Sequence, residues 1–227
     1  MATQKIATGY RPLRTGDQFT RRSYLKLAAL LTFSCFVITA IVATASYHVS
    51  VGAWPTVVTL LLLWVANRVA DDRRRPSRLQ SAAAWLVYGT LIVALFGFLV
   101  GQLACYLKLS LIVSMVVVST LAVGLICLAS IVHIDLVTEP NGYIVATVMA
   151  GVAVFLCPAI MTPLHLEPIK ILSWPTLVII YSSNLAVYTV NRAVAGSRNA
   201  YDLAQVLVRP YYHTYQAAGS YLESLND

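Results

Sequence analysis

The chain has 227 residues, of which 59% are hydrophobic and only 11% charged, with a mean hydropathy of +0.74; soluble domains carry about 45–50% apolar and about 25% charged residues, so a water-soluble globule is excluded. A membrane-crossing helix takes about 20 apolar residues, which leaves room for six or seven spans and no separate soluble catalytic domain. The net charge of +7 does not point to nucleic acid, because the basic residues sit between apolar blocks and not on one solvated face.

Taken in chain order, residues 1–23 are a polar tail without the apolar core of a signal peptide. Within it, Tyr10-Arg11-Pro12-Leu13 fits the Tyr-x-x-bulky pattern that endocytic adaptors read in extended form, and Pro12 biases Arg11 towards that form. Tyr10 and Leu13 are therefore sorting-signal candidates. Apolar blocks between charges then predict spans over 25–46, 51–68, 82–107, 109–132, 143–163 and 169–190, a helical membrane domain over 24–190. Gly89, Gly97 and Gly101 in the third span permit close helix packing. Residues 191–227 are only semi-apolar: Arg209 and Pro210 interrupt them, which predicts a short kinked seventh segment, interfacial or buried among the other helices. The expected fold is an all-α integral membrane protein of six transmembrane helices plus that seventh segment.

Counting Lys and Arg by side sets the orientation. With a cytosolic N-terminus, fourteen of the 16 basic residues fall inside, among them Arg73, Arg74, Arg75 and Arg78 in the loop after the second span. Only Lys108 and Lys170 lie opposite, as the positive-inside rule requires.

Catalytic chemistry is not indicated. The span cores hold no ionisable carboxylate, and the chain has no HExxH or GxSxG motif. The four cysteines, Cys35, Cys105, Cys127 and Cys157, lie in apolar runs without metal-ligand spacing, and no cofactor is implied. Polar residues in the spans, such as Gln102, Ser114, Thr120 and Thr189, read as interhelical hydrogen bonds worth about 0.6 kcal/mol each. The run Tyr181-Ser182-Ser183-Asn184 covers more than one helix face, so part of it must meet another helix or a cavity; these four are the cavity or pore candidates.

Several landmarks resemble one family in order and position. Arg21-Arg22-Ser23-Tyr24-Leu25-Lys26, followed by Thr39 and Ala40, resembles the Arg-x-x-Phe-Leu-x-Lys-x-Tyr opening of the transmembrane Bax inhibitor motif family, also called lifeguard or Golgi anti-apoptotic proteins. The basic loop Arg73 to Leu79 looks like that family's loop with a Pro-x-Asn-Leu core. Asp135-Leu136 is similar to its Asp-Phe-Thr, and Tyr181-Ser182-Ser183-Asn184 to its Tyr-Asp-Thr-Gln. The likeness covers most of the chain. It implies six helices around a short seventh, a cytosolic N-terminus, and calcium leak or cell-death (apoptosis) regulation in endoplasmic reticulum and Golgi membranes.

The departures matter as much. The family's pH gate is a carboxylate pair that shares a proton; here Ser182 holds the first position, and Pro210 and Tyr211 stand near the second. Arg78 replaces the loop Asn. A chain that keeps the scaffold without the sensor resembles the divergent members encoded by cytomegaloviruses, associated with lowering surface ligands of natural killer cells. The expected function is accordingly a non-enzymatic viral multispan protein that binds and diverts host membrane proteins in immune evasion or modulation of cell death. Its expected partners are the lipid bilayer, host membrane proteins and endocytic adaptors. The alternative is a cation leak channel lacking the pH sensor. A receptor for soluble ligands is disfavoured by short outer loops and the absence of an Asn-x-Ser/Thr sequon.

Overall fold

The computed structural model describes residues 21–49, 52–71, 82–133, 141–171, 173–195 and Val206. Among these residues every regular element is an α-helix: α1 (Arg21–His48), α2 (Ala53–Asp71), α3 (Ala82–Leu107), α4 (Ser110–Val132), α5 (Asn141–Met161) and α6 (Trp174–Ala195). Long apolar runs adopt this form because a helix satisfies each backbone N–H and C=O within the segment, which hydrocarbon cannot do for it. Four of the helices, at Ser23–His48, Leu86–Leu107, Ser110–Val132 and Asn141–Met161, are long and apolar enough to cross a membrane. The strongly apolar part of α2 is shorter, Trp54–Leu63, and α6 is diluted by Ser182, Ser183, Asn184, Thr189 and Asn191.

The exterior differs from that of a protein folded in water. The interior is rich in Ala, Ser, Thr and Cys, such as Ala28, Thr32, Cys35, Ala150 and Ser183, beside larger residues such as Tyr24, Met161 and Ile179, whereas many other large side chains, among them Leu61, Val87, Leu128 and Phe155, face outward. In water that surface would be an aggregation liability. In lipid it is the expected one, since hydrocarbon solvates Leu as well as a protein core does and small residues let helices approach. Helix α2 shows this most plainly: Trp54 is 78% exposed while Thr56 and Thr59 are buried.

Helices α1 and α4 form the centre of the bundle. α1 packs on α3, α4 and α6, and α4 on α1, α3, α5 and α6, while α2 leans on α3. The α1–α3 seam depends on two glycines four residues apart. A Cβ on Gly97 would lie 2.8 Å from the Thr39 carbonyl oxygen, and one on Gly101 would run into Ser46 Oγ and the Ala43 carbonyl. The backbones touch there because neither position has a side chain. Next to Gly101, buried Gln102 donates through Nε2 to the carbonyls of Ser46 (2.6 Å) and Val49 (2.8 Å), at the end of α1, where the last carbonyls lack regular helical donors and Ser46 O also receives the Val49 N–H at 3.3 Å.

Helices α3 and α5 end in the same device. Leu109 N–H donates to Ala104 O and Lys108 N–H to Cys105 O; Leu166 N–H donates to Met161 O and His165 N–H to Thr162 O. These are paired six-to-one and five-to-two bonds with the intervening residue left-handed, Lys108 at φ 53° and His165 at φ 52°. Glycine usually fills that position, since a Cβ there costs about 1–2 kcal/mol. His165→Gly should therefore raise the thermal unfolding midpoint in detergent by the equivalent of about 1 kcal/mol; a lowered midpoint would show that the imidazole contributes more than the backbone loses.

Two expectations need adjusting. The last span, read as 169–190, begins instead at Trp174 with Pro175 in its first turn, where a missing N–H costs nothing. Leu166 and Ile169 are apolar because they are buried in the cluster that holds Val113, Met161 and Ile179, within the α5–α6 connection. Of the seventh segment, Val206 is described: it is fully buried with Tyr24, Leu25, Ala28, Cys127 and Val190. The remainder of that segment lies outside the described residues.

Candidate functional site: a cleft between α3 and α6

The polar run on α6 is divided by the helix among three environments. Ser183 is buried and returns its hydroxyl to Ile179 O (2.8 Å). Asn184 donates through Nδ2 to Ile180 O (2.9 Å) and reaches Thr147 Oγ1 on α5 at 3.4 Å. Tyr181 and Ser182 face the other way and line a cleft of about 280 Å³. So the structure brings two of the four predicted residues to a cavity and uses the other two in the packing of α6.

The floor of the cleft is α1 and α4, and its walls are α3 and α6, which pack on that floor and not appreciably on each other. Phe36 and Thr39 come from α1, Phe96 and Val100 from α3, Met115 and Ser119 from α4, and Val178, Tyr181 and Ser182 from α6. The floor is tied together by Thr120, whose hydroxyl donates to Phe36 O (3.0 Å) as well as to Val116 O (2.8 Å). The glycine seam holds the α3 wall against α1. At the end carrying the α3–α4 turn, Ser114 Oγ donates to Glu167 O (2.7 Å), clasping the α5–α6 connection onto the first turn of α4.

The lining is almost wholly apolar. Two of its hydroxyls are turned towards their own helices, Thr39 to Cys35 O (3.0 Å) and Ser182 to Val178 O (2.8 Å), which is the usual way a serine or threonine is accommodated in an apolar helix; Ser119 and Tyr181 complete the polar part of the lining. Tyr181 at the rim is 54% exposed. No group of three or more His, Cys, Asp or Glu that could hold a metal occurs among the described residues. The cleft thus offers shape and apolar surface, with no charge converging on its interior.

Tyr10, Leu13, Arg73, Arg74, Arg75 and Arg78 lie outside the described residues. Sequence reasoning missed Phe36, Phe96 and Val100 as cleft residues, and no local signal marks them, since each looks like any apolar residue of a span. Of the interhelical polar contacts expected, Gln102, Ser114 and Thr120 each cross to another element, whereas Thr189 donates to Leu185 O of its own helix (2.8 Å).

Fold and cleft together define an all-helical bundle of membrane-spanning type with a lipid-facing apolar recess. No family model, no curated protein and no solved structure matches the chain.

Proposed function

We propose that the protein is a non-enzymatic multispan membrane protein that binds other membrane proteins through its helices and diverts them from their destination. In this reading all six helices cross the membrane of the endoplasmic reticulum, Golgi or endolysosomes, with the N-terminus in the cytosol. Tyr10 and Leu13 supply the contact with sorting adaptors, and the partners are host proteins if the likeness to virus-encoded members extends to biology. One observation carries it. At the position where the resemblance places a gate carboxylate, Ser182 spends its hydroxyl on Val178 O and lines an apolar recess. That arrangement supports recognition by contact over passage of a cation, which needs oxygens converging on the ion.

Topology is the first check. A glycosylation acceptor inserted after Asp72 should remain unmodified, and one carried on a short extension at Glu167 should be modified; the reverse pattern would overturn the orientation.

Function is tested by two measurements on the same protein. Expression in cells should remove a discrete set of membrane proteins from the cell surface. Vesicles containing the purified chain should show a calcium efflux that is small and flat between about pH 5 and 8, since serine does not titrate in that range. An unchanged surface together with a large, pH-switched efflux would replace the scaffold by a channel.

A further inference from the structure

We infer that the cleft between α3 and α6 is a binding site for one acyl chain of an anionic phospholipid. Its size suits one acyl chain. A water-sized group takes about 30 Å³, so the 280 Å³ of the cleft has room for about nine or ten carbons of a single extended chain.

Its chemistry and depth select the same ligand. The walls are almost wholly hydrocarbon, and the Thr39 and Ser182 hydroxyls are bonded to their own helices; Ser119 adds one small hydroxyl to the floor, so the surface suits a hydrocarbon guest. From Ile112 to Ser119 the floor runs seven residues along α4, about 10 Å, which is within the half-thickness of about 15 Å of a bilayer core. The recess thus stays in one leaflet, the one at the α3–α4 end. It opens sideways, past exposed Val178 and Tyr181, onto the surface that the fold presents to lipid.

Charge selects the headgroup. Lys108 stands in the turn just before α4, and Lys170 in the connection just before α6; both are exposed. Among the described residues at this end, Glu167 is the one acid and His165 the remaining titratable group of the connection. A chain seated against Ile112 and Val178 brings its phosphate to the level of these lysines. Two exposed cations against one carboxylate at this end of the bundle favour an anionic headgroup over a zwitterionic one by simple charge attraction. This site does not depend on the diversion of partner proteins, and either reading stands if the other fails.

The test uses the full chain in nanodiscs of phosphatidylcholine with a minor share of phosphatidylglycerol carrying a photoactivatable diazirine in one acyl chain. Labelled peptides should map to the cleft-lining stretches of α4 and α6. Labelling there should fall about tenfold in Ser182→Phe and in Val100→Phe, which fill the recess from opposite walls, and should be unchanged in Val148→Phe on the outer face of α5. Using two filling variants keeps the outcome readable if one fails to fold. Lys108→Ala with Lys170→Ala should reduce labelling severalfold from the phosphatidylglycerol probe and leave that from a phosphatidylcholine probe unaltered. Labelling spread over α2, α4, α5 and α6 in proportion to exposure, or indifferent to both filling substitutions, would overturn the site. Crosslinks from cleft residues to a second copy of the chain would do so as well, by showing a protein occupant.

Discussion

Gly101→Val should abolish the native bundle, with no monodisperse folded protein recovered in detergent. The Cβ of any residue at this position meets the Ala43 carbonyl, which belongs to the backbone and cannot rotate away, as well as Ser46 Oγ. Overpacking a core that can yield costs about 1–3 kcal/mol. Here relief requires that α1 and α3 separate, which also strips Gln102 from the end of α1, so the loss exceeds that range. Gly151→Ala provides the contrast. Nothing lies within 4 Å of a Cβ placed there, and Gly151 is exposed on α5, so the substitution should gain helix propensity, about 1 kcal/mol at most. Size-exclusion profiles and unfolding midpoints of the two variants measure both effects. A well-folded Gly101→Val would mean that α1 and α3 are farther apart than the contacts at Thr39, Ala43 and Ser46 imply.

Gln102→Leu should be the next most damaging change, lowering stability by about 1–3 kcal/mol. Leucine fills much of the same volume but offers no donor, leaving the carbonyls of Ser46 and Val49 without the Nε2 bonds at 2.6 and 2.8 Å. A buried acceptor stripped of a partner costs about 1–3 kcal/mol. Ser46 O keeps the Val49 N–H at 3.3 Å and Val49 is exposed, so the loss falls within the range for one such group. Gln102→Leu should also loosen the α3 wall of the cleft, so the accessibility of a cysteine placed at Val100 to a membrane-permeant thiol reagent should rise together with the loss of stability. Loss of stability without a change at Val100 would confine the role of Gln102 to the end of α1.

The six helices were legible in the sequence because charges and prolines bracket apolar runs of the right length; even the turn at Lys108 fell between predicted spans, although Leu109 was read as the start of the fourth. Reading the connection before α6 failed for a definite reason. Leu166 and Ile169 are apolar by virtue of burial beneath a non-helical segment, and composition alone cannot separate that from the start of a span. The left-handed backbone at Lys108 and His165 was hidden too, because the residue that adopts it is not a glycine. Helix pairing was harder still. Gly97 and Gly101 announced that some helix comes close, but nothing local says that it is α1, since the spans are apolar on all sides and lack a stripe to orient them. The cleft inherits that difficulty. Ser182 pointed to it, whereas Phe36 on the floor and Phe96 on the wall became part of it only through the arrangement of four separate helices.

The burial of Val206 against Tyr24, Leu25 and Ala28 joins the first helix to a residue near the end of the chain. About 180 residues separate the two, and at a synthesis rate of about 5–20 residues per second that interval lasts about 10–40 s. During it the first turns of α1 are in the membrane without the side chain that completes their packing. The end of the bundle that begins the molecule is therefore the last to be closed, and a ribosome stalled before Val206 leaves behind six helices with an unfilled gap beside Tyr24. Assembly of this protein has a built-in completion step, and quality-control factors that patrol the bilayer have that long to find the chain before it is sealed.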